Sequence, residues 1–143
     1  MIAASHGGKN TKIHAAVNGD VLPVALTFTD GKTSDKTQIF DLVEAAEVPV
    51  GSEILADRGY SYYNVHDVLE KMGFDVCIPT KVSHRNPWSW DFGKYKSRNV
   101  VERFFCKLKQ YRAVATRYAK RITLFKGLVY LACILIIFHK ILN

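Results

Sequence analysis

The stretch GKYKSRNVVERFFCKLKQYRAVATRYAKR, residues 93–121, holds ten lysines and arginines and a single acid, Glu102. Glu102 is also the only Asp or Glu from residue 92 to the C-terminus. On a helix, at about 100° per residue, Tyr95, Arg98 and Lys109 fall within about 60° of arc around Glu102. Val101, Phe104, Phe105 and Leu108 centre roughly 110° away, which makes them the core-facing stripe. If Ser97 caps this helix, Tyr95 lies just outside it. A carboxylate flanked by Arg and Lys can hold a divalent metal while its neighbours hold phosphates. The same spacing also suits a plain i,i+4 ion pair between Arg98 and Glu102, worth a few tenths of a kcal/mol. Spacing alone leaves both readings open.

Outward from this helix, the charge is uneven. Residues 1–93 carry 8 Lys/Arg against 12 Asp/Glu, net −4, while residues 94–143 carry 12 Lys/Arg against one Glu, net +11. A basic half on a mildly acidic domain is the electrostatic footprint of a polyanion binder, most often for nucleic acid. The 143 residues suit one domain with a real core, and the ordinary apolar and charged fractions exclude a disordered chain. Cys77, Cys106 and Cys133 are odd in number and form no CxxC, which points to reduced thiols in a cytosol. The opening MIAASHGGKNTK has no apolar core of a secretory signal.

The rest of the chain alternates strand and helix patterns. TKIHAAV and VLPVALTFT, around the turn signal NGD, read as a hairpin over residues 11–29. TQIFDLVEAAE reads as a helix capped by Ser34 or Asp35, with Ile39, Leu42, Val43 and Ala46 inward. SEILAD, residues 52–57, is a short strand ending on Asp57. Tyr63–Met72 is a helix with Val65, Val68, Leu69 and Met72 as its buried stripe, closed by Gly73. FDVCIP is another strand, and a loop carrying Trp88 and Trp90 leads into the basic helix. His6, His14, His66, His84 and His139 show no metal-ligand spacing. The apolar run Gly127–Phe138 is too short for a spanning helix and is expected to be a buried terminal helix, so no membrane is expected. The pattern is that of an α/β protein with a partly parallel sheet.

Tyr95, two residues, Arg98, three residues, Glu102, six residues, Lys109 matches at every spacing the Y-(2)-R-(3)-E-(6)-K motif of DDE transposases from bacterial insertion sequences. RNVVERFFCKLKQYRAVATRYAK resembles the insertion-sequence-five branch of that family. GGKNTKIHAAV resembles its glycine-pair strand, and ILADRGY resembles the strand that carries its second catalytic aspartate. The resemblance runs from about Gly7 to about Phe138.

The resemblance implies a ribonuclease H-like α/β fold, in a single domain with the Glu-bearing basic helix and the C-terminal helix at about 97–140. It implies two aspartates and a glutamate holding Mg²⁺ (or Mn²⁺), with Asp57 and Glu102 as the catalytic and metal-binding members here. Tyr95, Arg98 and Lys109 become DNA contacts, and double-stranded DNA at element ends and target becomes the partner. The place of action implied is the bacterial cytoplasm, at the nucleoid. The family's first aspartate lies on a strand ahead of GGKNTKIHAAV, and the six residues before Gly7 contain no acid. The expectation is therefore a catalytic core lacking its first strand, a C-terminal piece inactive by itself. Activity would require the missing N-terminal portion or another transposase chain. Asp35 resembles a family aspartate outside the catalytic triad. The alternative is a non-catalytic DNA-binding remnant or regulator of transposition.

Overall fold

The computed structural model describes residues 2–6, 11–117 and 119–143. The glycine pair Gly7–Gly8 of the resemblance therefore lies outside the described residues. Strands β1 (Ile2–His6), β2 (Thr11–Val17) and β3 (Pro23–Asp30) form an antiparallel sheet in that order. The β2–β3 hairpin is built as its sequence suggests. Asn18 folds its side chain back so that Oδ1 accepts from the backbone N–H groups of Asp20 at 3.0 Å and Leu22 at 3.1 Å, an Asx-type turn.

A turn of 3₁₀ helix, Asp35–Thr37, capped by Ser34, leads into α1 (Gln38–Ala45). Strand β4 (Glu53–Leu55) ends just before Asp57, and a second 3₁₀ turn, Arg58–Tyr60, leads to α2 (Tyr63–Lys71). Strand β5 (Asp75–Cys77) pairs with β4 in parallel, as a separate two-stranded sheet. Four helices follow: α3 (Phe92–Lys96), α4 (Asn99–Gln110), α5 (Arg112–Ala115) and α6 (Ile122–Leu142).

The period of two along β2 divides the interior. Ile13, Ala15 and Val17 face a core shared with Val101, Phe104, Phe105 and Leu108 of α4 and with Phe125 and Val129 of α6. Ala16 points the other way, into a core with Ile39 and Leu42 of α1, Ile54 of β4, and Val65 and Leu69 of α2. The hairpin is thus a wall with helices on both faces. Removing any one of these large side chains from water contributes roughly 1.5–3 kcal/mol.

Four expectations are revised. A strand ahead of the hairpin, not read from the sequence, pairs with it: β1 runs antiparallel to β2 from Ile2↔Ala16 to His6↔Lys12. A partly parallel single sheet is replaced by an antiparallel sheet and a short parallel one. On α2, Val68 and Met72 are exposed, while His66 is buried beside Val65 and Leu69. The loop over residues 79–91 explains that rotation, because its Trp88 lays its ring 4.6 Å from the His66 ring and makes that side of the helix the covered one. Finally, α6 is buried only along Phe125, Val129, Ala132, Cys133 and Ile136, and most of its other large apolar residues are open, with Leu128 and Ile137 partly covered. By length and composition alone, α6 is long and apolar enough to cross a membrane.

Candidate active site

Asp57 is delivered by the end of β4. Leaving the strand, the backbone turns into the Arg58–Tyr60 segment, and the Asp57 carboxylate caps that turn by accepting from Gly59 N–H at 2.7 Å. Position 59 is crowded by this arrangement. A Cβ there would stand 2.7 Å from Asp57 Oδ1 and 3.8 Å from Asp35 Oδ2, so Asp35 is brought to the same place by the turn before α1. Asp35 is held by Lys12, whose Nζ donates to its Oδ1 at 3.0 Å and to Thr33 O at 3.0 Å.

Electrostatics ties Asp57 to the basic helix. Burial pushes the Asp57 carboxyl above its ordinary value; the Gly59 N–H bond and the nearby Arg98 guanidinium pull it back, and the Asp35 charge pushes it up again. Arg98 is in turn paired with Glu102 one turn along α4. One guanidinium thus answers to both carboxylates. Glu102 is more than half exposed and Arg98 mostly covered, so the carboxylate lies at the solvent edge of the site.

Tyr95 does not share the helix of Glu102. The chain breaks between α3 and α4, and the joint is a run of 3₁₀-type bonds from Ser97 N–H to Lys94 O and from Arg98 N–H to Tyr95 O. Tyr95 still stands beside its motif partner, with the Arg98 guanidinium 5.5 Å from the centre of its ring. Trp90 meets Tyr95 edge-on at 5.2 Å. Lys109 is exposed near the far end of α4, two turns from Glu102.

Beneath Asp57 lies a buried polar knot. Tyr60 is fully buried with its hydroxyl 3.3 Å from His14 Nδ1, and the Thr29 hydroxyl is 2.8 Å from His14 Nε2. Burial drives the His14 pKa down, with Asp35 opposing and Lys12 assisting. The Tyr60 phenol is pushed far up by burial, then by the Asp57 and Asp35 charges. The signal for this knot was available: His14 is a polar residue between Ile13 and Ala15, in the apolar part of its strand.

A second acidic group went unread. His66, Asp67 and Glu70 on α2 bring ligand atoms within 4.8 Å of one another, and His66 Nδ1 sits 3.4 Å from Glu70 Oε2. The i,i+4 His–Glu spacing was its only sequence signal. Both tryptophans pack against the domain: Trp88 donates from Nε1 to Ile78 O at 2.7 Å, and Trp90 meets Tyr95. The three cysteines are free thiols.

Comparison with known proteins points one way. The profile of the family described as Transposase DDE domain matches residues 3–137. A Brucella ovis protein assigned as a transposase for insertion sequence element IS6501 is 32% identical over 127 residues. That match covers 88% of this chain and 96% of the relative.

Proposed function

This chain belongs to the DDE transposase domain family, whose members bind DNA, carry out phosphoryl transfer on it and generally use a divalent metal, and on that premise we propose how its own residues serve transposition. Asp57 and Glu102 hold Mg²⁺ or Mn²⁺, and Tyr95, Arg98 and Lys109 hold DNA phosphates beside the cleavage point. The fold behind it is the ribonuclease H-like core of one domain, acting on element ends and target DNA in the bacterial cytoplasm, at the nucleoid. The observation that carries the reading is the Arg98 guanidinium, which pairs with Glu102 and also lowers the Asp57 carboxyl. Two carboxylates from distant parts of the chain answer to one cation, and a divalent ion can replace it.

The donor set fits the metal. Carboxylate oxygens suit a hard divalent cation. A metal-free Asp57 destabilised by burial gains from a positive charge placed beside it. When bound, such ions activate an attacking oxygen and stabilise a leaving one. The chain's residues do the rest. Arg98, Lys109 and Tyr95 would contact phosphates and set the register of the DNA backbone beside the carboxylates.

Two of the family's three carboxylates are placed by this reading. Strand β1, IAASH, carries none. Cleavage by this sequence by itself is therefore not expected, and polypeptide that supplies the third carboxylate restores it. The test is thermal unfolding with and without Mn²⁺, alongside nicking of element-end DNA. Mn²⁺ is expected to raise Tm, with Asp57→Asn and Glu102→Gln each abolishing the rise. A Tm rise that survives both substitutions, or nicking never restored by added upstream polypeptide, would overturn the assignment. DNA binding that persists without any metal response would leave the non-catalytic regulator in its place.

A further inference from the structure

Asp35 stands at the candidate site without belonging to the Tyr95–Arg98–Glu102–Lys109 motif or to the strand that delivers Asp57. Two short 3₁₀ turns, Asp35–Thr37 and Arg58–Tyr60, pack against each other, one leading into α1 and the other leaving β4. Asp35 is the first residue of its turn, and Asp57 caps the other. Both carboxylates reach the space over Gly59. A Cβ built there would stand 2.7 Å from Asp57 Oδ1 and 3.8 Å from Asp35 Oδ2. The two oxygens therefore flank one point, and their separation cannot exceed those two distances laid end to end. Gly59 is exposed, so that point is open to solvent.

The two oxygens of Asp35 have different surroundings. Oδ1 accepts from Lys12 Nζ at 3.0 Å, and Lys12 is anchored a second time on Thr33 O at 3.0 Å. Oδ2 takes no hydrogen bond among the described residues and lies on the Gly59 side. Pairing with Lys12 thus fixes the carboxylate through one oxygen and leaves the other turned toward Asp57. We propose that Asp35 is a further ligand of the metal site, its Oδ2 joining Asp57 on one divalent ion over Gly59. This rests on the metal reading given above and deepens it, because Asp35 lies outside the two aspartates and the glutamate that the family resemblance implies.

The space and the charges agree. Glycine at position 59 is not demanded by its backbone, since Gly51 and Gly73 are the glycines with positive φ among the described residues. It keeps clear the space between the two carboxylates, which any side chain would fill. An octahedral Mg²⁺ holds oxygens at about 2.1 Å, which sets two of them about 3–4 Å apart, a separation that two oxygens flanking Gly59 can meet. Two like charges brought to one turn repel, and a cation between them turns that repulsion into attraction. Lys12 and Arg98 are the chain's own cations beside these charges, one at Asp35 and the other reaching Asp57 and Glu102. Cleavage still requires the carboxylate that β1 does not carry; Asp35 bears on how tightly the ion is held.

Titration of the full chain with Mn²⁺, followed by the electron paramagnetic resonance signal of the free ion, tests this with Asp35→Asn and Asp57→Asn run alongside. Asparagine keeps an acceptor for Lys12, so Asp35→Asn removes the charge and spares the fold, which circular dichroism checks. Losing an outer partner of a metal site costs about 10–100-fold in affinity and losing a ligand at least as much, so Asp35→Asn should weaken Mn²⁺ binding by about tenfold or more. Asp35→Cys gives a readout that a purely structural role would not move. A thiolate in place of the carboxylate should shift preference from Mn²⁺ toward Cd²⁺, measured against the wild type, whose own three cysteines set the background. Mn²⁺ binding that needs Asp57 but is unchanged in Asp35→Asn, or an Asp35→Cys chain with wild-type metal preference, would overturn this inference and leave the metal reading standing. A wild-type chain that takes up no Mn²⁺ would overturn both.

Discussion

Replacing Arg98, Lys109 and Glu102 one at a time tests the basic face and its carboxylate through opposite signs. Each cation that neutralises a duplex phosphate contributes about 0.9 to the slope of log K against log salt. Losing one contact therefore flattens the slope by about 0.9 and weakens binding at about 0.15 M salt by roughly fivefold, since that term scales with the logarithm of salt. Lys109→Ala should show this change alone, because Lys109 is exposed and its truncation costs the fold within about 0.5 kcal/mol. Arg98→Ala should flatten the slope equally and also lose the Glu102 pair, worth a few tenths of a kcal/mol at such an exposed carboxylate. Glu102→Gln should do the reverse: it frees Arg98 for phosphate and removes a negative charge, so binding holds or tightens and the slope does not fall. Fluorescence anisotropy of a labelled duplex, titrated at several salt concentrations without divalent metal, reads all three. Unchanged slopes for both Arg98→Ala and Lys109→Ala, or loss of binding in Glu102→Gln, would refute the reasoning.

Three further outcomes follow from burial and backbone. His14 has its pKa lowered from 6.5 in the fold, so the folded state binds fewer protons than the unfolded one; stability should be full above about pH 6.5 and fall as pH drops through the folded value. His14→Gln should flatten that acid limb in urea melts recorded between pH 7.5 and 5. Asp57 behaves oppositely, because its pKa is raised: without divalent cation, stability should decline as pH rises through the folded value, and Asp57→Asn at pH 7 should be neutral or stabilising in Tm. Gly73 holds φ +86°, and a Cβ there would meet Val50 Cγ1 at 2.8 Å, whereas Gly51, at the same φ, faces open space. Gly51→Ala should cost about 1–2 kcal/mol from the left-handed backbone alone, and Gly73→Ala measurably more, in denaturant midpoints.

Much of the local architecture was legible because it is written in short-range periodicity. The alternation in TKIHAAV, the Asn18 turn, the stripes of α1 and α4 and the glycine closing α2 depend on neighbours within a few residues, and each formed where its pattern indicated. The inward side of α2 was not legible. His66 displaced Val68 because Trp88, about twenty residues later, covers that side, and no helical period contains that information. The break that places Tyr95 on its own short helix was hinted at by Ser97, yet its closing bonds become visible only once the backbone is built.

Residue order by itself determined the motif Tyr95–Arg98–Glu102–Lys109, the charge asymmetry and with them the family, because these are properties of identity and spacing along one helix-forming stretch. Only the tertiary structure decided that Asp57, some forty residues before Arg98, comes within reach of its charge, and that Asp35 and the His14–Tyr60 knot gather at the same turn. It likewise decided which apolar side of α6 the fold buries, since the helix is apolar on more than one side. The reason is the same in each case. Periodicity tells a side chain which way to point from its own backbone, whereas burial and charge coupling depend on what the folded chain has brought to meet it.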